Sequence, residues 1–223
     1  MPDHAAPAGQ HHRDGGDFAT WVGDVQAAIR GERDAVVPCD GCVACCTSSQ
    51  FVHIGPDETE TLRRIPAELQ VPAPGLPRGH VVLGYDERGH CPMLVDNQCS
   101  IYEHRPRTCR SFDCRVFTAT GVEPSSGQAA IAERAREWRF RLATTEDAAT
   151  RDALRAAGEF LRREGGISPR RLGPTQLAAL AIEIHHLFLG GIEPDADLVR
   201  RYEAGRRSGS PKAGNSSAGV RNE

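Results

Sequence analysis

Two stretches of the chain hold all of its cysteines: CDGCVACC at residues 39–46 and CPMLVDNQCSIYEHRPRTCRSFDC at residues 91–114. Thiols two residues apart on a tight turn can point at one soft cation, and a second group distant in sequence can complete its coordination sphere. The sequence therefore predicts a metal-binding region. Its candidate ligands are Cys39, Cys42, Cys45, Cys46, Cys91, Cys99, Cys109 and Cys114.

The chain opens without the basic and apolar segments of a secretory signal, so we expect a cytoplasmic protein. Reducing conditions there favour metal-bound thiolates over disulfides, which are the alternative use of the cysteines. The most apolar stretch, residues 177–189, is interrupted by Glu183, His185 and His186 and is too short to cross a membrane. A net charge of −3 disfavours a general nucleic-acid binder.

Composition divides the chain near residue 120, because the cysteines, most prolines and the predicted strands come before it. The predicted fold class is α+β: a small cysteine-cluster metal-binding domain with short strands, followed by an all-α C-terminal helical region. That helical region is the candidate surface for a protein partner. The predicted segments are a disordered N-terminus at 1–17, the cysteine-cluster domain at 18–120, the helical region at 121–207 and a disordered tail at 208–223.

Apolar spacing predicts a helix that starts at Phe18, ends at Gly31 and lies over the cysteine core. A strand at 51–54 is followed by a helix that Asp57 would cap and Pro66 would stop.

Residues 81–85 and 91–95 predict a hairpin, followed by a turn at 96–98 and a helical turn at 101–104. The later helices are predicted near 126–142, 146–164, 174–189 and 195–206.

The number of thiols fits two kinds of metal. Zinc takes four thiolates per site, so eight cysteines could build two closed sites or one site with spare thiols. The spacing of Cys39, Cys42 and Cys45 also matches part of a ferredoxin run, which indicates iron and sulfide, including a 4Fe-4S cluster. A structural zinc contributes about 10–16 kcal/mol in small modules, so the region is expected to need its metal to fold.

Other polar side chains lie among the cysteines. Arg105, Arg107, Arg110 and Arg115 are expected to pack against the thiolates and offset their charge, the alternative being an anionic ligand. Histidine ligands are not required when eight thiols are available. This applies to His53, His80, His90 and His104, and to His4, His11 and His12 in the polar N-terminus.

Taken together, these motifs resemble the CxxCxxCC cysteine-cluster family (YkgJ-like), a zinc- or iron-chelating domain. The resemblance covers about residues 38–115 and includes the Cys91-Pro92 step and the Arg105-Pro106 step. It departs at Asp113, where members often have proline. The resemblance implies eight metal-binding cysteines and no settled reaction.

Two functions follow as hypotheses. The first is a cytoplasmic metal-binding protein that chelates zinc or an iron-sulfur cluster. The second is a metal- or cluster-dependent enzyme, because a flagellin lysine N-methylase looks similar over the cysteine motif. The chain shows no Gly-rich loop for a methyl donor, so the first is preferred. A free nucleophilic cysteine is disfavoured, since metal-bound thiolates are poor nucleophiles.

Overall fold

The computed structural model describes residues 12–39, 41–164, 172–191 and 193–208, with side chains as far as residue 202. The chain is 48% helical and 12% strand, which confirms the predicted α+β class. In the described ranges no helix is both long and apolar enough to span a bilayer. Most of the predicted disordered termini, 1–11 and 209–223, lies outside these ranges.

The described chain begins with strand β1 (Arg13–Asp17), which leads directly into helix α1 (Phe18–Ile29). The carboxylate of Asp17 accepts from the Thr20 main-chain N–H at 2.9 Å and caps the helix. Helix α1 starts at Phe18 as predicted and ends at Ile29, two residues before the predicted end at Gly31. Residues 13–17, expected to be disordered, are instead a strand because they pair in parallel with a strand beginning at Trp138.

A small antiparallel sheet follows, in the order β2-β4-β3. Its elements are β2 (Val52–Ile54), helix α2 (Thr59–Arg64), β3 (Val71–Pro72) and β4 (Val81–Leu83). Glu58, not Asp57, stands at the start of α2, and its carboxylate accepts from the Gly55 N–H at 2.9 Å. The helix ends before Pro66, as predicted.

The predicted hairpin between residues 81–85 and 91–95 is wrong. Strand β4 pairs with β2 and β3, and β5 (Leu94–Val95) pairs with β6 (Gln98–Cys99). The loop that joins β5 to β6 is Asp96-Asn97, with φ of 48° and 60°. Positive φ at both residues is typical of a two-residue hairpin turn, so the short turn determines which strands pair.

The rest of the chain is mainly helical, with one strand. After a 3₁₀ turn at Tyr102–His104, the elements are α3 (Arg107–Ser111), α4 (Arg115–Thr120), α5 (Ala129–Glu137), β7 (Trp138–Arg141), α6 (Thr145–Arg163), α7 (Pro174–Ile184) and α8 (Ala196–Ser208). The predicted helix at 126–142 therefore ends early, because residues 138–141 pair with β1.

Three apolar clusters hold the elements together. The largest joins α1, α4, α5, β7, α6 and α7, and it includes the buried Cys114. A second joins α6, α7 and α8, and a small third lies beneath β2 and β4. The largest cluster crosses residue 120, so α1 and α4 pack with the later helices. Helix α1 thus meets the cysteine region in the cluster that contains Cys114, against which Ala44 also packs.

Candidate metal centre

The first cysteine stretch folds as consecutive turns rather than as a regular helix. The Cys42 N–H donates to the Cys39 carbonyl at 2.8 Å, and the Cys46 N–H donates to the Val43 carbonyl at 2.8 Å. Gly41 has φ of 73°, a conformation that glycine adopts without a steric penalty. Asp40, expected in the same turn, lies outside the described residues.

The second stretch meets the first at Cys46. The Cys91 N–H donates to the Cys46 carbonyl at 2.7 Å. Cys91 and Cys99 both pack against the small apolar cluster. Cys109 lies on α3, where the Thr108 hydroxyl donates to the His53 carbonyl at 2.7 Å and ties the helix to β2.

Cys114 lies apart from these residues, directly before α4. It belongs to the largest apolar cluster, against which Val37 and Ala44 also pack. The indole N–H of Trp138 donates to the Cys114 sulfur at 3.2 Å. This hydrogen bond favours the thiolate form, although burial raises the pKa of Cys114 to about 12.

Cys45 and Cys109 have largely different thiols as neighbours. Burial, followed by the charges of Cys114, Cys39, Cys46 and Cys42, raises the pKa of Cys45 well above its usual range. Burial, followed by Cys46, Cys91 and Cys99, raises the pKa of Cys109 to about 12. We define the first thiol group as Cys39, Cys42, Cys45 and Cys114, and the second thiol group as Cys46, Cys91, Cys99 and Cys109.

This definition places the adjacent residues Cys45 and Cys46 in different groups, although Cys46 affects the pKa of Cys45 more than Cys42 does. Burial raises the pKa of Cys46 to about 12, and the next causes are the charges of Cys91 and Cys99. Weaker effects of Cys42 and Cys39 on Cys46 show that the two groups are neighbours. Each group takes cysteines from both stretches of sequence.

The groups are loose and shallow. In the described part of the chain, no three Cys, His, Asp or Glu side chains lie close enough to form a ready-made metal site. Cys39, Cys45 and Cys109 are exposed to solvent. Desolvation by the surrounding protein is still the largest cause of their raised pKa values. Binding of a metal by four thiolates would require the turns to tighten.

A buried ion pair supports the first thiol group. The Arg115 guanidinium donates to both carboxylate oxygens of Asp113, at 2.7 to 3.0 Å. It also donates to the carbonyls of Gly15, at 3.0 Å, and Val36, at 2.6 Å. The Trp21 indole donates to Asp113 at 2.8 Å. This network links α1, β1 and the segment before Cys39 to the residues on either side of Cys114.

The expectation that the other arginines pack against the thiols and offset their charge is wrong for Arg107, and only the effect on charge is seen for Arg105. Arg110 is half-buried and lies 3.4 Å from Asp34. Arg107 is about half exposed because it pairs with Asp57 at 2.5 Å. The Arg105 guanidinium lies 4.1 Å from the centre of the Tyr102 ring. Arg105 is still close enough for its charge to lower the pKa of Cys39 and Cys109, against the larger effect of burial.

The histidines make other contacts. His53 Nε2 and His80 Nδ1 lie 2.9 Å apart, and the two rings are stacked. The ring Nδ1 of His185 donates to the Ile182 carbonyl at 2.6 Å, and burial lowers its pKa. His4 and His11 lie outside the described residues.

Sequence reasoning missed Trp138 and the importance of Asp113. Trp138 lies within the helix predicted at 126–142, whereas it is the first residue of β7 and its indole N–H donates to the Cys114 sulfur. The available signal is chemical, because a buried indole N–H requires an acceptor. Asp113 was noted only as a departure from the family pattern.

Comparison with known proteins supports a metal-binding class for this region. Residues 38–126 match the model of the CxxCxxCC family, described as "Putative zinc- or iron-chelating domain". The match confirms the resemblance seen in the cysteine motif and extends it past Cys114 into the segment before α5. Neither the curated proteins nor the solved structures gave a match to the chain.

Proposed function

We propose that the protein chelates zinc or iron through its eight cysteines, with the first and second thiol groups each supplying four thiolates. The observation that carries the proposal is the hydrogen bond from the Cys91 N–H to the Cys46 carbonyl, which joins the two cysteine stretches within the region that matches the chelating family. The division into two groups follows the thiol with the largest effect on each pKa, Cys114 for Cys45 and Cys91 for Cys46. Four thiolates are a complete set of ligands for one zinc ion. They are equally a complete set for one iron-sulfur cluster, including a 4Fe-4S cluster.

The donor chemistry fits such a metal. Burial and mutual repulsion raise the pKa of Cys46 and Cys109 to about 12, so these thiols hold protons at neutral pH. Binding of a soft cation by a thiol group displaces those protons and compensates the negative charge that the thiolates would otherwise concentrate. When bound, the metal would supply cross-links between the turns at 39–46, the β5-β6 hairpin and α3.

The division into two groups is tested by changing the adjacent cysteines separately. Cys45→Ser and Cys46→Ser should each lose one metal site and keep the other, and the double variant should lose both. Native mass spectrometry of protein purified without oxygen counts the metals. Ser111→Ala, on the same helix as Cys109, is the matched control and should keep the full metal content. Loss of all metal in each single variant would indicate one shared centre instead of two.

The metal-dependent enzyme, for instance one similar to a protein lysine N-methylase, is the second candidate. Solvent exposure of Cys39, Cys45 and Cys109 favours it, because catalysis needs an exchangeable position that a closed structural site lacks. Binding of a methyl donor by the metal-loaded protein, measured by calorimetry, would support this candidate. If no methyl donor binds and each metal has four sulfur ligands, metal chelation is the function that the results support.

The proposal also includes a cytoplasmic location and a protein partner. A cytoplasmic protein would keep its thiols reduced and available to a metal. The surface after residue 121 would contact a protein partner, and the net charge of −3 disfavours nucleic acid.

A further inference from the structure

A cleft of about 970 Å³ opens between α4, α5, β7 and α6, and none of the described cysteines lines it. Phe117, Trp138 and Phe140 line its apolar part. Phe117 and Trp138 are almost completely buried, whereas Phe140 is half-buried and Leu142 at one end is exposed. Sites for small organic ligands typically have volumes of about 300–1,000 Å³ and mostly apolar walls. The cleft has the size of such a site, and its accessible wall is about equally polar and apolar.

Four arginines surround the opening. They are Arg136, Arg139, Arg151 and Arg155. Arg136 lies 3.8 Å from Glu123, and both side chains are largely exposed. Arg151 pairs with its neighbour Asp152 at 2.7 Å. These two arginines therefore have carboxylate partners at the surface.

The other two arginines are differently placed. Arg139 donates through Nη1 to the carbonyls of Arg136, at 2.6 Å, and Trp138, at 2.8 Å. Arg155 donates through Nη2 to the Thr118 carbonyl at 3.4 Å. Within the described residues, the guanidinium groups of Arg139 and Arg155 make no other hydrogen bonds, so all of their acceptors are main-chain carbonyls. Each guanidinium is thus positioned by the backbone and keeps further donors for another acceptor.

The carboxylates that line the cleft do not neutralise the positive charge of Arg139 and Arg155. Glu137 already accepts from Arg13 at 3.0 Å and from Arg134 at 2.7 Å, so its charge is compensated by arginines that do not line the cleft. Glu123 is shared with Arg136, which leaves Glu133 as the remaining acid. The positive side chains Arg139 and Arg155 therefore outnumber the uncompensated acids, which favours an anion.

We infer that this cleft binds a small organic anion, with its apolar body against Phe140 and Leu142 and its acidic group on Arg139 and Arg155. Guanidinium groups bind carboxylate, sulfonate and phosphate oxygens through paired, charge-assisted hydrogen bonds. An aromatic or aliphatic body contributes by removing apolar area from water. The inference does not depend on the identity of the metal or on its presence.

The test uses anilinonaphthalene sulfonate, which joins an aromatic body to one anionic group, with the full chain at its measured metal content. Its fluorescence should rise and saturate with one site per chain. Arg139→Gln and Arg155→Gln should each raise the dissociation constant at least about tenfold, because each removes a charge-assisted hydrogen bond. Arg162→Gln is the matched control, since Arg162 is exposed on the same helix as Arg155 and pairs with Glu159. It should leave the dissociation constant unchanged.

Fluorescence that does not saturate, or equal weakening by Arg162→Gln, would overturn the inference. Circular dichroism and the melting temperature of each variant separate loss of the site from loss of the fold. Saturable, arginine-dependent binding by a chain that holds no metal would support the cleft and contradict the proposed metal function. Metal binding without probe binding would support the proposed metal function and contradict the cleft site.

Discussion

Replacement of Asp113 by asparagine should destabilise the protein strongly. The side chains of Arg115 and Asp113 are only 8% and 2% exposed, so the substitution leaves a guanidinium charge buried without its counter-charge. Removal of one partner from a buried ion pair costs about 3–5 kcal/mol. For a chain of this size such a loss lowers the melting temperature by roughly 6–20 °C.

Thermal unfolding of Asp113→Asn, at constant metal concentration and with metal content measured, tests this value. Glu159→Gln is the control, because it breaks an exposed pair with Arg162 in which the side chains are 63% and 55% exposed. Exposed helix pairs contribute about 0.3–0.5 kcal/mol. If Asp113→Asn lowers the free energy of unfolding no more than this control does, at unchanged metal content, the buried pair does not stabilise the fold.

Other predictions concern packing and pH. Gly158→Ala should lose about 1–3 kcal/mol in urea unfolding, because its Cβ would lie 2.3 Å from the Thr120 carbonyl oxygen. Gly23→Ala, on the exposed face of α1 with nothing within 4 Å of a Cβ, should gain about 0.5–1 kcal/mol, and equal effects of the two changes would contradict the packing. The pKa of Cys46 and Cys109 is raised from 9.0 to about 12 in the folded chain, so the fold binds protons more tightly than the unfolded chain does. Without metal, the free energy of unfolding should therefore be constant below about pH 9 and fall between about pH 9 and 12. Urea titrations across this range should show no such fall in the metal-loaded protein, whose thiols have already lost their protons.

The sequence predicted the elements whose signals are local. Helix α1 was recognised because Phe18, Trp21, Val22 and Val25 repeat on one face, and each of them is buried. Helix α6 begins after Thr144 with a capping box to Asp147, and its bounds were close to those predicted. Such signals depend on residues three or four positions apart.

What the sequence did not predict depends on contacts between distant residues. The apolar residues of β7 have the spacing of a helix, but this segment is a strand because it pairs with β1. The position of Cys46 beside the second cysteine stretch depends on the hydrogen bond from the Cys91 N–H to the Cys46 carbonyl. Spacing within CDGCVACC indicates that the thiols can bind metal. It contains no information about which distant cysteine completes each group.

The number of sulfur ligands per metal tests the account most directly. Protein purified without oxygen is analysed for zinc, iron and sulfide, and X-ray absorption at the metal edge gives the ligand type and number. The account predicts four sulfur ligands for every metal centre, with metal–sulfur distances of about 2.3 Å if the metal is zinc, and no free thiol among the eight cysteines. A protein that carries no metal, or a metal bound by nitrogen and oxygen while the thiols remain free, would contradict it.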